Sequence, residues 1–353
     1  MAIFGNIIDW ALAFFLFGLL LFIHESGHFV MARLTGVKVE EFGFGFPPRV
    51  KKLFTWKGTI FSLNAIPFGA FVRPAGEDDP NIPGGLASAS KRVRVAVLFG
   101  GVLFNLIFAL IAFTITYKIA YPEGVSIVSV SPQTPAQQAG LLAGDRIRGI
   151  DNTQIRTINE VTDYVHSNLG VEIVMHVERG GQALDLPVIP RDVWPDGQGP
   201  TGVELTVIFS DQHNWWEAFT GGLSFAGEQL RAIAELPSVL LRGGADGANY
   251  RPVGPVGIID VTEQIVGAAR ENNRWVVILD WMGSINLALA IGNLLPIPAL
   301  DGGRLLFIFI EALRGRRVTP ERERMIHATT LLLILGLMIV VTYFDFFSPV
   351  LPR

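Results

Sequence analysis

The sequence contains no cysteine and few charged residues, and each of these features limits the classes of protein to which the chain can belong. With Cys at 0, a domain outside the cell must fold without disulfides, and the redox compartment stays undetermined. Charged residues are 17% of the 353 residues, and the mean hydropathy of +0.42 is high for a soluble protein. The net charge of -4 gives no indication of nucleic acid binding. We therefore expect much of the chain to lie in lipid.

Four apolar stretches reach or approach the roughly 20 residues that a membrane-spanning helix needs. They are residues 7–34, 93–120, 275–313 with a break, and 325–347. The first stretch lacks a basic start and a small-residue cleavage site, so we do not expect a signal peptide. The pattern predicts a polytopic α-helical membrane protein with four spans and both termini on one side.

Lysine and arginine are concentrated in two segments, one between the first and second spans and one between the third and fourth. Because positively charged loops stay in the cytoplasm, both segments are predicted to be cytoplasmic. Residues 122–273 and both termini then lie on the outer side.

The first apolar stretch contains the motif His24-Glu25-Ser26-Gly27-His28. On a helix, residues i and i+4 lie on one face, so both imidazoles can bind one zinc ion while Glu25 reaches its water. Such a motif can arise by chance on a soluble helix, where a histidine on an apolar face is usually a satisfied core residue. At membrane depth, however, ionisable groups are costly and usually functional. We interpret the motif as a metal site at the cytoplasmic end of the first span.

A catalytic zinc site also needs a third protein ligand and an open position for water. Asp301 is the best candidate, because two prolines and two glycines within residues 293–303 interrupt the third apolar stretch. Broken backbone at membrane depth is tolerated where it lines a cavity. The alternative is that Asp301 only caps the following helix, which does not explain why the break lies within a span.

The chain resembles the site-2 protease family of intramembrane zinc metalloproteases. The likeness rests on residues 24–28, on Gly101-Val102-Leu103-Phe104-Asn105 and on residues 293–303, and it runs almost end to end. It is greatest to the bacterial branch that has a PDZ module outside the cytoplasm. Val102 departs from the pattern, because relatives often have proline there.

The resemblance implies an enzyme of the bacterial inner membrane with one zinc ion per chain. The implied zinc ligands are His24, His28 and Asp301, and the implied general base is Glu25. The implied contacts to the substrate or transition state are Asn105 and Asn293. The implied partners are the lipid bilayer and single-span membrane proteins that another protease has shortened, such as anti-sigma factors or remnant signal peptides.

We divide the chain into four segments. Residues 1–120 and 274–353 are the two halves of the membrane core, and a membrane-associated β-hairpin is predicted at 37–75. Residues 121–192 resemble one PDZ domain, with Tyr121-Pro122-Glu123-Gly124 at the carboxylate-binding loop. Residues 193–273 are predicted to be an outer linker with amphipathic helices at 213–241.

Several alternatives stay open at this point. The hairpin either pairs with unwound substrate or lies on the cytoplasmic surface, and the PDZ module either binds a chain terminus or blocks intact substrates sterically. A membrane metal transporter or receptor, or a catalytically silent PDZ scaffold, would also fit parts of the pattern. Glu25 discriminates these classes, because only a protease requires a base at that position.

Overall fold

The computed structural model describes residues 2–77, 79–119, 121–155, 157–195, 198–210, 214–241, 253–271 and 273–347. The chain forms two compact units, of which the first comprises Met1–Thr116 and Gly222–Arg353 and the second Tyr117–Gly221. The first unit contains the membrane helices and the candidate site, and the second is built on a β-sheet.

Four helices of the described chain are long and apolar enough to span a membrane. They are Ile7–Leu34 within α1 (Ala2–Leu34), α2 (Lys91–Ile119), α7 (Val276–Leu294) and α9 (Pro320–Phe347). The predicted third stretch is divided as expected, since α7 ends before Pro296 and Pro298 and α8 (Asp301–Arg314) begins after them. Ala120, the predicted end of the second span, lies outside the described residues.

A β-hairpin follows α1 in the segment where the sequence predicts one. Its strands are β1 (Val39–Trp56) and β2 (Thr59–Pro74), which pair antiparallel. Lys57 and Gly58 join them, both with positive φ (47° and 85°), as a two-residue hairpin turn requires. Residues 41–44 have register partners at both 60–63 and 70–73, so this part of β1 lies between two parts of β2.

A buried carboxylate holds the hairpin together. The Glu41 side chain, only 3% exposed, accepts hydrogen bonds from Arg49 Nη2 (2.7 Å), Arg73 Nη2 (2.5 Å) and Ser62 Oγ (2.7 Å). Burial alone would raise the pKa of Glu41, but these hydrogen bonds and the charges of Arg49 and Arg73 hold the pKa below its usual value. Glu41 is therefore ionised and ties the end of β2 to the rest of the hairpin.

Glycines allow α1 and α2 to touch through their backbones at the level of the metal motif. A Cβ atom on Gly27 would lie 2.1 Å from the Gly100 carbonyl oxygen, and one on Gly100 would lie 2.5 Å from the Gly27 oxygen. No larger residue fits at either position without a shift of one helix. Small residues at such crossings let membrane helices approach closely.

Two buried carboxylates fix α6 (Pro255–Glu271) in the first unit. Asp345 on α9 accepts hydrogen bonds from the backbone N–H groups of Gly254 (3.1 Å) and Gly257 (2.9 Å), at the start of α6. Asp9 on α1 pairs with Arg270 near the other end, at 2.7 Å. A carboxylate at a helix N-terminus accepts hydrogen bonds from N–H groups that have no partner within the helix, and its negative charge interacts favourably with the helix dipole.

The elements of the second unit are β3 (Tyr121–Val130), α3 (Pro135–Gln138), β4 (Arg146–Ile150), β5 (Thr153–Gln154), α4 (Ile158–Ser167), β6 (Ile173–Arg179), β7 (Gln182–Val188) and β8 (Val203–Ser210). Its core is formed by apolar side chains such as Val125, Ile147, Ile150, Val161 and Met175. The six strands form one sheet with the order β7-β6-β4-β3-β8, and β5 pairs with β4.

The sheet extends beyond the predicted PDZ segment of residues 121–192. Strand β8 lies in the predicted linker, yet it pairs with β3 along the length of that strand, from Tyr121 to Val130. Tyr121 and Gly124 are thus in a paired strand, whereas the sequence suggests a turn there. Helix α5 (Trp215–Leu241) follows where amphipathic helices are predicted, with the Trp215 and Trp216 side chains 63% and 71% exposed. His213 lies outside the described residues.

One ion pair inside the second unit predicts a pH dependence of its stability. The fully buried Asp145 carboxylate faces Arg179 Nε (2.6 Å) and accepts from the Leu142 N–H (2.9 Å). Burial would raise the pKa of Asp145, but these hydrogen bonds and the Arg179 charge lower it below its usual value of 3.8. The folded unit thus binds fewer protons than the unfolded chain, so its stability is complete above about pH 5 and falls as the pH drops below 4.

We expect Asp145→Asn to destabilise the second unit by roughly 1.5–3 kcal/mol at neutral pH, because the buried side chain loses its charge-assisted hydrogen bonds to Arg179 and to the Leu142 N–H. Amide hydrogen exchange of β3, β4 and β6 in the full chain measures this loss. Asp163→Asn, an exposed change on α4, is the control. Equal protection in the wild type and Asp145→Asn would contradict this account of the ion pair.

Candidate metal centre

Helix α1 brings two imidazoles to one point. His24 and His28 are one helical turn apart and both buried, at 8% and 9% exposure. Their Nε2 atoms lie 3.1 Å from each other. Both rings therefore direct a nitrogen at the same small volume, as the spacing of the motif predicts.

Asp301 reaches the same point from the first turn of α8. Its Oδ2 atom lies 3.1 Å from His24 Nε2 and 3.1 Å from His28 Nε2. The N-cap position of α8 belongs to Leu300, which makes no side-chain capping bond, and Asp301 is the first helical residue. The carboxylate is thus directed at the histidines and does not cap its own helix.

The three atoms form a triangle that fits zinc. In a tetrahedral site with bonds of roughly 2.0–2.1 Å, the ligand atoms lie about 3.3 Å apart, close to the 3.1 Å found here. Asp301 Oδ2 is also buried without a hydrogen bond among the described residues. A carboxylate oxygen in this setting is costly unless a cation compensates it. The donor set of two imidazoles and one carboxylate is one that catalytic zinc sites use.

The second nitrogen of each imidazole contacts α2. His28 Nδ1 lies 2.9 Å from the carbonyl oxygen of Val97, which can only accept a hydrogen bond. Nδ1 of the neutral ring therefore carries the proton, and the lone pair of Nε2 is available to a metal. His24 Nδ1 lies 3.2 Å from the Asn105 amide nitrogen, while Asn105 Oδ1 is buried without a partner in the described chain. Turning this amide by 180° lets Oδ1 accept from Nδ1–H, which leaves His24 Nε2 available to a metal as well.

The carboxylate of Glu25 lies beside the triad, and its Oε2 accepts a hydrogen bond of 2.9 Å from the backbone N–H of Val72 on β2. Val72 is also a register partner of Phe42, so this N–H lies on a strand that pairs with β1. The predicted hairpin therefore lies directly against the site, with the end of β2 touching the predicted base.

Glycines at three positions make the site compact. A Cβ atom on Gly101 of α2 would lie 2.5 Å from His24 Cε1 and 2.6 Å from His28 Nε2. On α8, a Cβ atom on Gly302 would meet the Leu295 oxygen at 2.2 Å, and one on Gly303 would meet the Ile297 oxygen at 2.4 Å. The helices can approach the triad only because these side chains are missing.

The other predicted site residues differ in their positions. Asn105 is fully buried and next to His24. Asn293 is half-buried in the last turn of α7, and within the described residues no hydrogen bond joins it to the triad. Gly124 lies in β3 of the second unit; the side chains of Tyr121, Pro122 and Glu123 lie outside what the structure describes. The roles of these residues stay predictions.

Sequence reasoning did not identify the backbone partners of the site. The Val97 carbonyl and the Val72 N–H contact His28 and Glu25 from positions 69 and 47 residues away along the chain. Backbone groups of apolar residues give no signal in a single sequence. Gly101 is different, because it stands in a motif that carries the family resemblance, although its contact with both histidines was not evident.

Comparison with known proteins gives extensive similarities. The sequence profile of Peptidase family M50 matches residues 12–337. Zinc metalloprotease RasP of Oceanobacillus iheyensis is 30% identical over 94% of this chain and 96% of its own length. Membrane metalloprotease ARASP, chloroplastic, of Arabidopsis thaliana is 32% identical over 90% of this chain and 75% of its own length. Among solved structures, the PDZ domain of the SdrC-like protein of Listeria monocytogenes is 28% identical, covering 24% of this chain and 88% of that chain with a TM-score of 0.21.

Gly101 provides a test of the metal centre. We expect Gly101→Ala to weaken zinc binding at least about tenfold, because the new methyl group displaces both imidazoles. Competition with a chromogenic chelator measures the affinity of the purified protein. Gly292→Ala on α7 is a matched control, since a Cβ atom there meets nothing within 4 Å. Zinc affinity in Gly101→Ala equal to that of the control would be incompatible with this site.

Proposed function

The chain belongs to Peptidase family M50, the site-2 protease family, and from this premise we propose that it is an intramembrane zinc endopeptidase. Family and relatives make it a zinc metalloprotease, and its four apolar helices make it a multi-pass membrane protein. The finer proposal is that it hydrolyses peptide bonds within the transmembrane segments of single-span proteins. The observation that carries it is the triangle of donor atoms, 3.1 Å on each side, two of which belong to a helix apolar enough to span a membrane.

In the proposed mechanism, His24, His28 and Asp301 hold one zinc ion per chain. When bound, zinc supplies a Lewis acid that polarises the scissile carbonyl and makes water more acidic. Glu25 takes a proton from the attacking water and gives it to the leaving nitrogen. Asn105 orients His24 and, together with Asn293, contacts the substrate or the transition state.

A peptide bond in a transmembrane helix is already hydrogen-bonded, so the substrate must unwind before it is cut. The end of β2 supports a route for this step, because the Val72 N–H faces Glu25 and not another strand. We infer that an unwound substrate adds along this edge by main-chain hydrogen bonds. The ionised Glu41, through its bond to Arg73, keeps the edge beside the base.

The proposed location is the inner membrane of a bacterium, with both termini and the second unit outside and the site near the cytoplasm. Contacts between the two basic segments support the proposal that both lie on the same side of the membrane. Arg317 donates to the Ala87 carbonyl (3.0 Å), and Arg94 Nη1 lies 2.6 Å from Glu311 Oε2. The positive-inside rule assigns that side to the cytoplasm.

The proposed partners are single-span proteins that another protease has shortened, among them anti-sigma factors or remnant signal peptides. The second unit, as a PDZ-like module, would select them either by binding a new chain terminus near residues 121–124 or by excluding intact outer domains. A metal transporter or receptor and a silent scaffold are the competing classes. Neither of them requires a base beside the metal ligands.

Glu25→Gln is the first test. Cleavage is expected to fall at least about 100-fold because the base is lost, while zinc affinity is retained and the Gln oxygen can still accept from the Val72 N–H. The measurement is cleavage of a panel of single-span substrates, with full-length and shortened outer domains, by the reconstituted enzyme. Cut sites are located by mass spectrometry.

Glu321→Gln, an exposed change at the start of α9, is the matched control. Cuts within the transmembrane segment that disappear only in Glu25→Gln support the proposal. A zinc-loaded wild type that cuts no member of the panel, or equal cleavage by Glu25→Gln, would favour a transporter or scaffold. Preference for shortened substrates would support the selective role of the second unit.

A further inference from the structure

We propose that His327 on α9 is a positioning residue for Asp301 and acts through the backbone of Ala299. This inference rests on the proposed role of Asp301 as a metal ligand. The observation behind it is a hydrogen bond of 2.8 Å in which the Ala299 N–H donates to His327 Nδ1. Ala299 is two residues before Asp301, and His327 is 28 residues away along the chain.

The turn that contains Ala299 is held in a strained conformation. Ala299 has a φ of 83°, in the left-handed region that residues with a Cβ atom rarely adopt. Other backbone groups of the turn bond locally, since Ile297 N donates to Leu295 O (2.7 Å) and Leu300 N to Ile297 O (3.1 Å). The strained residue has its N–H bonded to another helix instead. Such conformations persist only where surrounding contacts enforce them.

The His327 ring is itself well placed to enforce this turn. It packs against Phe307 of α8, with ring centroids 5.4 Å apart, and Phe307 is 9% exposed. Most of α9 is exposed in the first unit, and its buried residues are Val341 and Asp345, more than a dozen positions later. His327 therefore joins α9 to both the turn before Asp301 and the helix after it.

The position of Asp301 depends on this turn because the start of α8 is packed directly against the backbone that precedes it. Gly302 and Gly303 pack so closely on the backbone of residues 294–298 that neither tolerates a Cβ atom. Leu300 gives α8 no side-chain cap. A change in the backbone at Ala299 is thus passed to Asp301, whose Oδ2 must stay near 3.1 Å from both imidazoles.

The chemistry needed at position 327 is that of a hydrogen-bond acceptor. A backbone N–H can only donate, so His327 Nδ1 accepts, and the proton of the neutral ring is on Nε2. Asparagine can place its Oδ1 acceptor where His327 Nδ1 lies. Leucine has nearly the same shape as asparagine but has no hydrogen-bond acceptor. These two substitutions separate the hydrogen bond from simple packing.

The test compares His327→Leu and His327→Asn in the full-length protein purified in detergent. The readouts are zinc affinity by chelator competition and the visible absorption spectrum of the cobalt-substituted site, both measured without substrate. We expect His327→Leu to bind zinc about tenfold more weakly, with a changed cobalt spectrum. His327→Asn should stay within about twofold of the wild type, and Ala299→Gly added to His327→Leu should restore affinity, because glycine adopts this φ without strain.

Three results would overturn the inference. Wild-type affinity and spectrum in His327→Leu would mean that the contact does not position Asp301. Equal losses in the Leu and Asn variants would indicate a packing role without the hydrogen bond. No recovery in the double variant would exclude the strained backbone as the link. A wild type that binds zinc but cuts no substrate would refute the proposed function while leaving this inference intact.

Discussion

Two imidazoles and a carboxylate are pressed together in an apolar helix bundle, where desolvation makes every uncompensated polar atom costly. Their convergence at 3.1 Å constrains the surrounding backbone. Gly27 and Gly100 let α1 and α2 touch, Gly101 makes room for both rings, and the glycines at the start of α8 let it approach its own preceding turn. The geometry of the triad thus depends on this close-packed backbone, because a Cβ atom at any of these glycines would clash with a neighbouring helix, an imidazole or the turn before α8.

Much of this arrangement could be predicted from the sequence, because its causes are local. The i, i+4 spacing of His24 and His28 determines that they share a face, and Pro296 and Pro298 require the break that leads to Asp301. The contacts that complete the site are not local. Three groups make these contacts with residues distant in the sequence: the Val97 carbonyl, the Val72 N–H and the His327 ring. The first two are backbone groups of valine, a residue whose side chain gives no sign of such a contact. The sequence predicts a linker at residues 203–210 for the same reason, since the pairing of β8 with β3 depends on tertiary structure.

Helix α9 is attached to the rest of the first unit by polar contacts near both of its ends. Its surface is largely apolar and exposed in the first unit, which suits a helix surrounded by lipid. Among the polar side chains that attach it are His327, which contacts the turn before Asp301, and Asp345, which binds the N–H groups of Gly254 and Gly257. The second contact gives the Gly254-Pro255-Val256-Gly257 segment a physical role, because proline starts α6 without needing a donor and the glycine N–H groups bind a carboxylate from another helix.

The carboxylate of Glu25 connects the metal centre to the hairpin. In the proposed mechanism it is the base and must lie near the reacting water, and in the structure it accepts a hydrogen bond of 2.9 Å from the Val72 N–H. An added strand would use that same N–H for pairing, since Val72 belongs to the part of β2 whose other side is bonded to β1. If substrate adds at this edge as proposed, its backbone and Glu25 would compete for one donor. A substrate strand that accepted from the Val72 N–H would lie close to Glu25 and would free its carboxylate. In the proposed mechanism, a single exchange of hydrogen bonds would therefore both place the substrate and release the base.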